Sequence, residues 1–242
     1  MKQVPNMLIV ALIVGTFFLW PDAPALQTVF PPETAPLLRI DGHVSYQVRP
    51  TRTLLLMNVD VSKGGRPVSD WKISLMGQPA QANDPGNYGC EILGFSASAG
   101  QAVTVTFAAP GMIATEEHPP LKASATVGSP VQFSAPTADA HILHSSAGNL
   151  QIAWSGGVPP YRVLIMSFTG SDPNSSSWLA KVFERNHVAR TTLAVPMSTF
   201  TPGTMYGIYV HSIMDTFRFK EKVDPASDFK LIHNAATFFH ID

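Results

Sequence analysis

Apolar residues recur at every second position in short runs along this chain, and glycines and prolines cut the runs apart. Val103, Val105 and Phe107 alternate in QAVTVTF, Tyr161, Val163 and Ile165 in YRVLI, and Tyr206, Ile208 and Val210 in MYGIYV. A strand sends successive side chains to opposite faces, so a period of two fits half-buried strands and not helices. The 21 prolines and 17 glycines supply the turns between them. The chain therefore reads as all-β. At 242 residues with 45% hydrophobic content, it can build one large domain or two of ordinary size.

Charged residues make up only 14% of the chain, against about 25% in a typical soluble domain. The formal net charge of −1 offers no electrostatic footprint for nucleic acid or anionic lipid. Cys90 is the single cysteine, so no intramolecular disulfide can form, and a small buried strand residue is its expected role.

The N-terminus, MKQVPNMLIVALIVGTFFLWPDAPA, has Lys2 and then an uncharged run from Met7 to Trp20. Ala23-Pro24-Ala25 has the small-x-small pattern of a signal-peptidase site. The apolar run suits a cleaved signal peptide, and it is short for a span, which takes about 20 residues. Trp20 would sit at the far interface of a retained anchor, with Lys2 on the inner side. The anchor is the reading taken here, and cleavage at Ala25, giving a secreted or periplasmic protein, is the alternative. Prolines 21, 24, 31, 32 and 36 then favour an extended stalk. The expected organisation is a membrane segment over 1–20, a stalk over 21–38, and two β-rich blocks over 39–127 and 128–242. These blocks are separated by the break HPPLKASATVGSP.

In the first block DPGNYGC, residues 84–90, carries the D-x-G-x-Y-x-C spacing of an immunoglobulin strand, with Trp71 upstream. The interval from Trp71 to Cys90 is too short for the further strands that a true immunoglobulin domain requires. The block is thus immunoglobulin-like at most, with Trp71 and Tyr88 as structural side chains. The second block resembles fibronectin type III modules. Trp154 stands at that family's B-strand tryptophan and Tyr161 at its C-strand tyrosine. FTPGTMYGIYV, with Tyr206, resembles its F strand. The resemblance implies a β-sandwich and no catalytic residues. It breaks off at SSSWLAKVFERNH, where Trp178, Leu179, Val182 and Phe183 at helical spacing predict a short helix. The C-terminal stretch from Phe217 is longer than one closing strand needs. It suggests an added hairpin or a strand donated to a neighbour.

Motifs for chemistry are weak. Ser69-Asp70-Trp71-Lys72 fits S-x-x-K, but it opens a strand and no K-T-G follows. Gly94-Phe95-Ser96-Ala97-Ser98 misses G-x-S-x-G at its last position, and neither a P-loop nor H-E-x-x-H is present. His141 and His144, three apart on a strand, point to opposite faces. Glu116-Glu117-His118 reads as a solvated linker, and Asn174-Ser175-Ser176 is a glycosylation sequon. No catalytic, cofactor or metal residue is assigned. The expectation is an extracytoplasmic, non-enzymatic structural or interaction protein of a cell envelope or virion assembly. It would touch the membrane through its N-terminal segment and bind other proteins of that assembly, with a homo-oligomer as an open arrangement. A secreted carbohydrate-binding adhesin is the alternative, with Tyr46, Trp178 and Tyr209 as ligand-contact aromatics; an exported hydrolase ranks below it.

Overall fold

A computed structural model describes residues 36–111, 119–168 and 178–242, with Trp178 and Leu179 described by their backbone alone. The membrane segment, most of the stalk, Glu116-Glu117-His118 and the sequon at Asn174 lie outside the described residues. Among the described residues no helix is long and apolar enough to cross a membrane.

The first block forms β1 (Leu38–Arg49), β2 (Arg52–Lys63), β3 (Arg66–Pro67), β4 (Lys72–Leu75), β5 (Gln78–Pro79), β6 (Gln81–Asp84), β7 (Asn87–Leu93), β8 (Ala102–Ala108) and β9 (Leu121–Thr126). The second forms β10 (Gln132–Ala135), β11 (Ala140–Ile142), β12 (Asn149–Ser155), β13 (Tyr161–Phe168), β14 (Trp178–Val188) and β15 (Thr192–Pro196). It closes with β16 (Thr204–Thr216), β17 (Arg218–Phe219) and β18 (Asp228–Ile241). A ten-stranded sheet runs in the order β14-β13-β16-β18-β1-β2-β7-β6, with β11 added on β18 and β3 on β2. A five-stranded sheet, β17-β9-β8-β4-β5, and a three-stranded sheet, β10-β12-β15, complete the two layers. The fold is all-β, with two immunoglobulin-like or fibronectin type III-like sandwiches. In the second, β10-β12-β15 face β14-β13-β16-β18, which is the three-on-four arrangement of a fibronectin type III module.

The two sandwiches have separate cores on one sheet. Val127 belongs to the first core and Val131 to the second. The long C-terminal strand serves both. On β18, Phe229 and Leu231 fill the first core, and Ala235, Phe239 and Ile241 fill the second. All five are odd-numbered, so one face of one strand supplies both cores. The first half of β18 pairs in parallel with β1, from Asp41↔Asp228 to Val48↔Ala235, and its last residues pair with β11. Its other edge is bonded along its length by β16. The stretch beyond Phe217 is therefore neither a spare hairpin nor a donated strand: it is the central element of the large sheet.

One local expectation is corrected. From Trp178 on, the segment predicted as a helix is the strand β14, paired antiparallel with β13. The pairing shifts register at three places. Each shift is an extra residue, and adjacent side chains can then share a face. Val182 and Phe183, neighbours in sequence, both pack against the second core. Bulges had erased the period of two and left a spacing that imitates a helix.

Candidate functional site

The five structural side chains singled out in the sequence lie where they stabilise the cores. Tyr88 is buried, donates its hydroxyl to the Val68 carbonyl at 2.9 Å and accepts the Trp71 N–H at 3.2 Å. Trp71 itself is half-buried against the first core. In the second core Trp154 and Tyr161 meet edge to face at 5.3 Å, and Tyr161 donates its hydroxyl to the Gly156 carbonyl. Tyr206 accepts the Thr201 N–H at 2.7 Å and stacks with Phe239 at 5.7 Å.

The aromatics proposed to meet a ligand fare differently. Tyr46 is 4% exposed, packs edge-on against Phe95 and lies in the first core, so it cannot form a platform for a sugar. That expectation is corrected: Tyr46 falls on the inward phase of β1 with Ile40 and Val44. The side chain of Trp178 lies outside those described. Tyr209 is half-buried beside Phe238, and burial pushes its phenol up to about 12.

The chemical motifs are not assembled into a catalytic arrangement by the described residues. Ser69 precedes a strand that begins at Lys72 and opens no helix. Cys90 is a free, buried thiol whose Sγ lies 3.8 Å from the Gln78 carbonyl, and burial raises its pKa. His141 stacks flat on His240 at 4.7 Å, and its Nδ1 lies 3.0 Å from an Asp242 carboxylate oxygen. Among the described residues no group of three or more histidine, cysteine or carboxylate side chains could hold a metal.

The surface feature that stands out lies on the outer face of the large sheet, across the seam between the sandwiches. Ile213 is 49% exposed and pairs across the sheet with Ile232, which neighbours Ser45 on β1. Two shallow concavities, of about 350 and 460 Å³, share these two isoleucines. Their rims carry His211 and His43, both held below the usual histidine range by burial first of all. Nε2 of His211 has no hydrogen-bond partner among the described residues. Val158, 43% exposed, tips the turn between β12 and β13, which is tied down by Ser212, whose Oγ accepts the Val158 N–H at 2.7 Å.

That turn, Ser155-Gly156-Gly157-Val158-Pro159-Pro160, depends on its glycines. Both have positive φ, and a Cβ on Gly156 would lie 2.0 Å from the Pro130 carbonyl oxygen. Gly157 donates its N–H to Ser129 at 2.7 Å. The linker between the blocks is thus pressed against the turn that presents Val158. Ile213 was not among the expected contact residues, although the sequence held a signal. It falls on the outward phase of a strand whose inward phase is Tyr206, Ile208 and Val210.

No protein-family model matches this chain, and no curated protein matches it in sequence. Among solved structures it is similar to the crystal structure of DIP-gamma IG1+IG2, with 13% identity and a TM-score of 0.24 over 81% of this chain and 98% of that one. It is similar to a titin fragment, with 12% identity and a TM-score of 0.25 over 85% and 99%. It is also similar to the fibronectin(III)-like modules of Clostridium thermocellum CbhA, with 12% identity and a TM-score of 0.22 over 85% and 95%. With scores of this size the sandwich assignment rests on the strand order and pairing of the chain itself.

Proposed function

We propose that this chain is a non-enzymatic interaction protein of an extracytoplasmic assembly, in a cell envelope or a virion. The segment Met7–Trp20 holds it at a membrane, the proline-rich stretch spaces it from the surface, and the double sandwich binds other proteins of the assembly. The observation that carries this reading is the apolar seam pair, Ile213 and Ile232, on the outside of a sheet that two cores brace from within. Exposed apolar side chains grouped on a polar surface mark contact sites. Because β16 and β18 run through both sandwiches, such a patch keeps its shape as partners press on it.

Two measurements test the proposal. The native protein is expected to have an intact mass that includes Met7–Trp20 and to need detergent for extraction; a chain beginning at Leu26 would refute the anchor. A photo-crosslinker placed at position 213 in the native envelope or particle is expected to join the chain to another protein, whereas the same group at Lys63 is not. Equal crosslinking from both positions would refute the seam as the contact.

A further inference from the structure

A second side of the molecule has a different chemistry. β14 is the edge strand of the ten-stranded sheet and β15 the edge strand of the three-stranded sheet. The chain passes from one to the other between Val188 and Thr192, so both layers of the second sandwich open on this side. Between them lies a cleft of about 630 Å³ that includes Gln151, Arg185, Asn186, His187, Arg190 and Thr192 in its lining. None of the residues lining it is acidic.

Arg185 and Arg190 are exposed, and neither has an ion-pair partner among the described residues. The carboxylate next in sequence is already engaged. Glu184 accepts from Arg162 at 2.8 Å and from Lys181, and the hydrogen bonds from Lys181 and then Arg162 hold its pKa down. Two unmatched guanidinium groups in one concavity are notable in a chain with 14% charged residues and a net charge of −1. A guanidinium matches the two oxygens of a carboxylate with paired hydrogen bonds.

The neighbouring backbone adds a second attraction. β15 pairs with β12 over Asn149↔Pro196 to Ala153↔Thr192, and its other edge carries no strand among the described residues. An open edge is a template for one more strand. β14 is the poorer template, since its bulges and Lys181 are the devices that blunt an edge.

We propose that this cleft binds an extended acidic segment of a partner protein, its carboxylates on Arg185 and Arg190 and its backbone along the open edge of β15. This rests on the reading of the chain as a protein-binding module and specifies the chemistry of one partner. A nucleic acid or sulfated glycan fits less well, because such polyanions follow long tracks of cations and this cleft has two arginines.

The test uses the full-length chain in detergent and a fluorescein-labelled nonapeptide alternating glutamate with valine and threonine. Controls are the same peptide with glutamine for glutamate, a version with proline at alternate positions, and a sulfated heparin hexasaccharide. Binding is read by anisotropy at about 50 and about 300 mM salt, a range over which exposed charge contacts are progressively screened. The acidic peptide is expected to bind, and Arg185→Gln and Arg190→Gln are each expected to weaken it about tenfold. Arg66→Gln, which removes an equal charge elsewhere, is expected to leave it unchanged. The glutamine and proline peptides are expected to bind about tenfold more weakly or not at all. No binding of the acidic peptide, equal loss with Arg66→Gln, or tighter binding of the hexasaccharide would overturn the proposal. Each of those results leaves the crosslinking at position 213 untouched, so failure here is distinct from failure of the broader reading.

Discussion

His233 lies where the two sandwiches meet, and its surroundings make the fold sensitive to acid in a definite window. The side chain is fully buried on β18, between the residues that fill the first core and those that fill the second. Its Nε2 accepts the N–H of Val131, the residue that opens the second core, at 3.0 Å. Its ring packs on Tyr46 of β1 at 5.2 Å, and Nδ1 has no hydrogen-bond partner among the described residues. Ser212 of β16 is its cross-strand neighbour. Burial, with a smaller contribution from His211, lowers its pKa from 6.5 to about 4. The ring is therefore neutral in the fold, and a proton on Nε2 would replace the acceptor that Val131 needs.

The sign follows from linkage. Between about pH 4 and 6.5 the unfolded chain binds a proton at this site and the folded chain does not, so stability falls as the pH falls. The contribution is fully present above about 6.5 and is lost as the pH drops through about 4. At 1.36 kcal/mol per unit, the displacement from 6.5 to about 4 amounts to about 3 kcal/mol in total. About 1 kcal/mol of that is lost by pH 5.5 and about 2 to 3 kcal/mol by pH 4.5. Urea unfolding of the full-length chain and of His233→Gln at pH 7.5, 6.5, 5.5 and 4.5 measures it. Glutamine offers Val131 an acceptor that does not titrate, so the difference between the two proteins removes the carboxylates from the comparison. Parallel losses of stability in both proteins across that range would refute the reasoning.

Further outcomes are expected. Trp154→Ala should destabilise by about 3 to 5 kcal/mol and Tyr206→Phe by about 1 kcal/mol, read as shifts of the urea midpoint; an unchanged midpoint for Trp154→Ala would contradict its place in the second core. Gly156→Ala should cost at least about 2 kcal/mol, because a left-handed residue and a backbone overlap with Pro130 coincide there. Cys90 should resist alkylation in the native protein and react freely in urea, with no dimer band that depends on reductant; rapid native labelling would place it at the surface. A fragment ending at Val127 should fail to show a cooperative melt, since three large members of the first core come from beyond it.

The sequence made some features legible and concealed others for physical reasons. Strands with regular alternation, such as β8, β13 and β16, could be read directly because each has one buried face. Tyr88, Trp154, Tyr161 and Tyr206 could be placed because their spacing to turns is local. β14 could not, because bulges shift the phase of its side chains. Tyr46 was misjudged because β1 is interrupted by glycine at position 42, and only its pairing with β2 and β18 fixes which phase faces the core. The cleft at Arg185 and Arg190 was not foreseen either. Opposite charges near each other in sequence suggest mutual neutralisation, and only the geometry shows that Glu184 is held by Arg162 and Lys181 instead.

The least legible feature was the role of the C-terminus, and it decides how the molecule holds together. Parallel pairing of β1 with β18 joins residues such as Asp41 and Asp228, which no local pattern can link. The first core includes Phe217, Phe229 and Leu231; Phe217 stacks on Phe229, which meets Phe107 edge to face. Burying a large apolar side chain contributes about 1.5 to 3 kcal/mol, so these three are worth about 5 to 9 kcal/mol. That is comparable with the whole stability of a small domain, about 5 to 15 kcal/mol. The first sandwich therefore cannot close until the end of the chain is present, and the second uses the other half of the same strand. Two modules that read as consecutive beads in sequence are one cooperative unit in space. A single unfolding transition follows from that, and so does a fixed seam that buries His233 and presents Ile213.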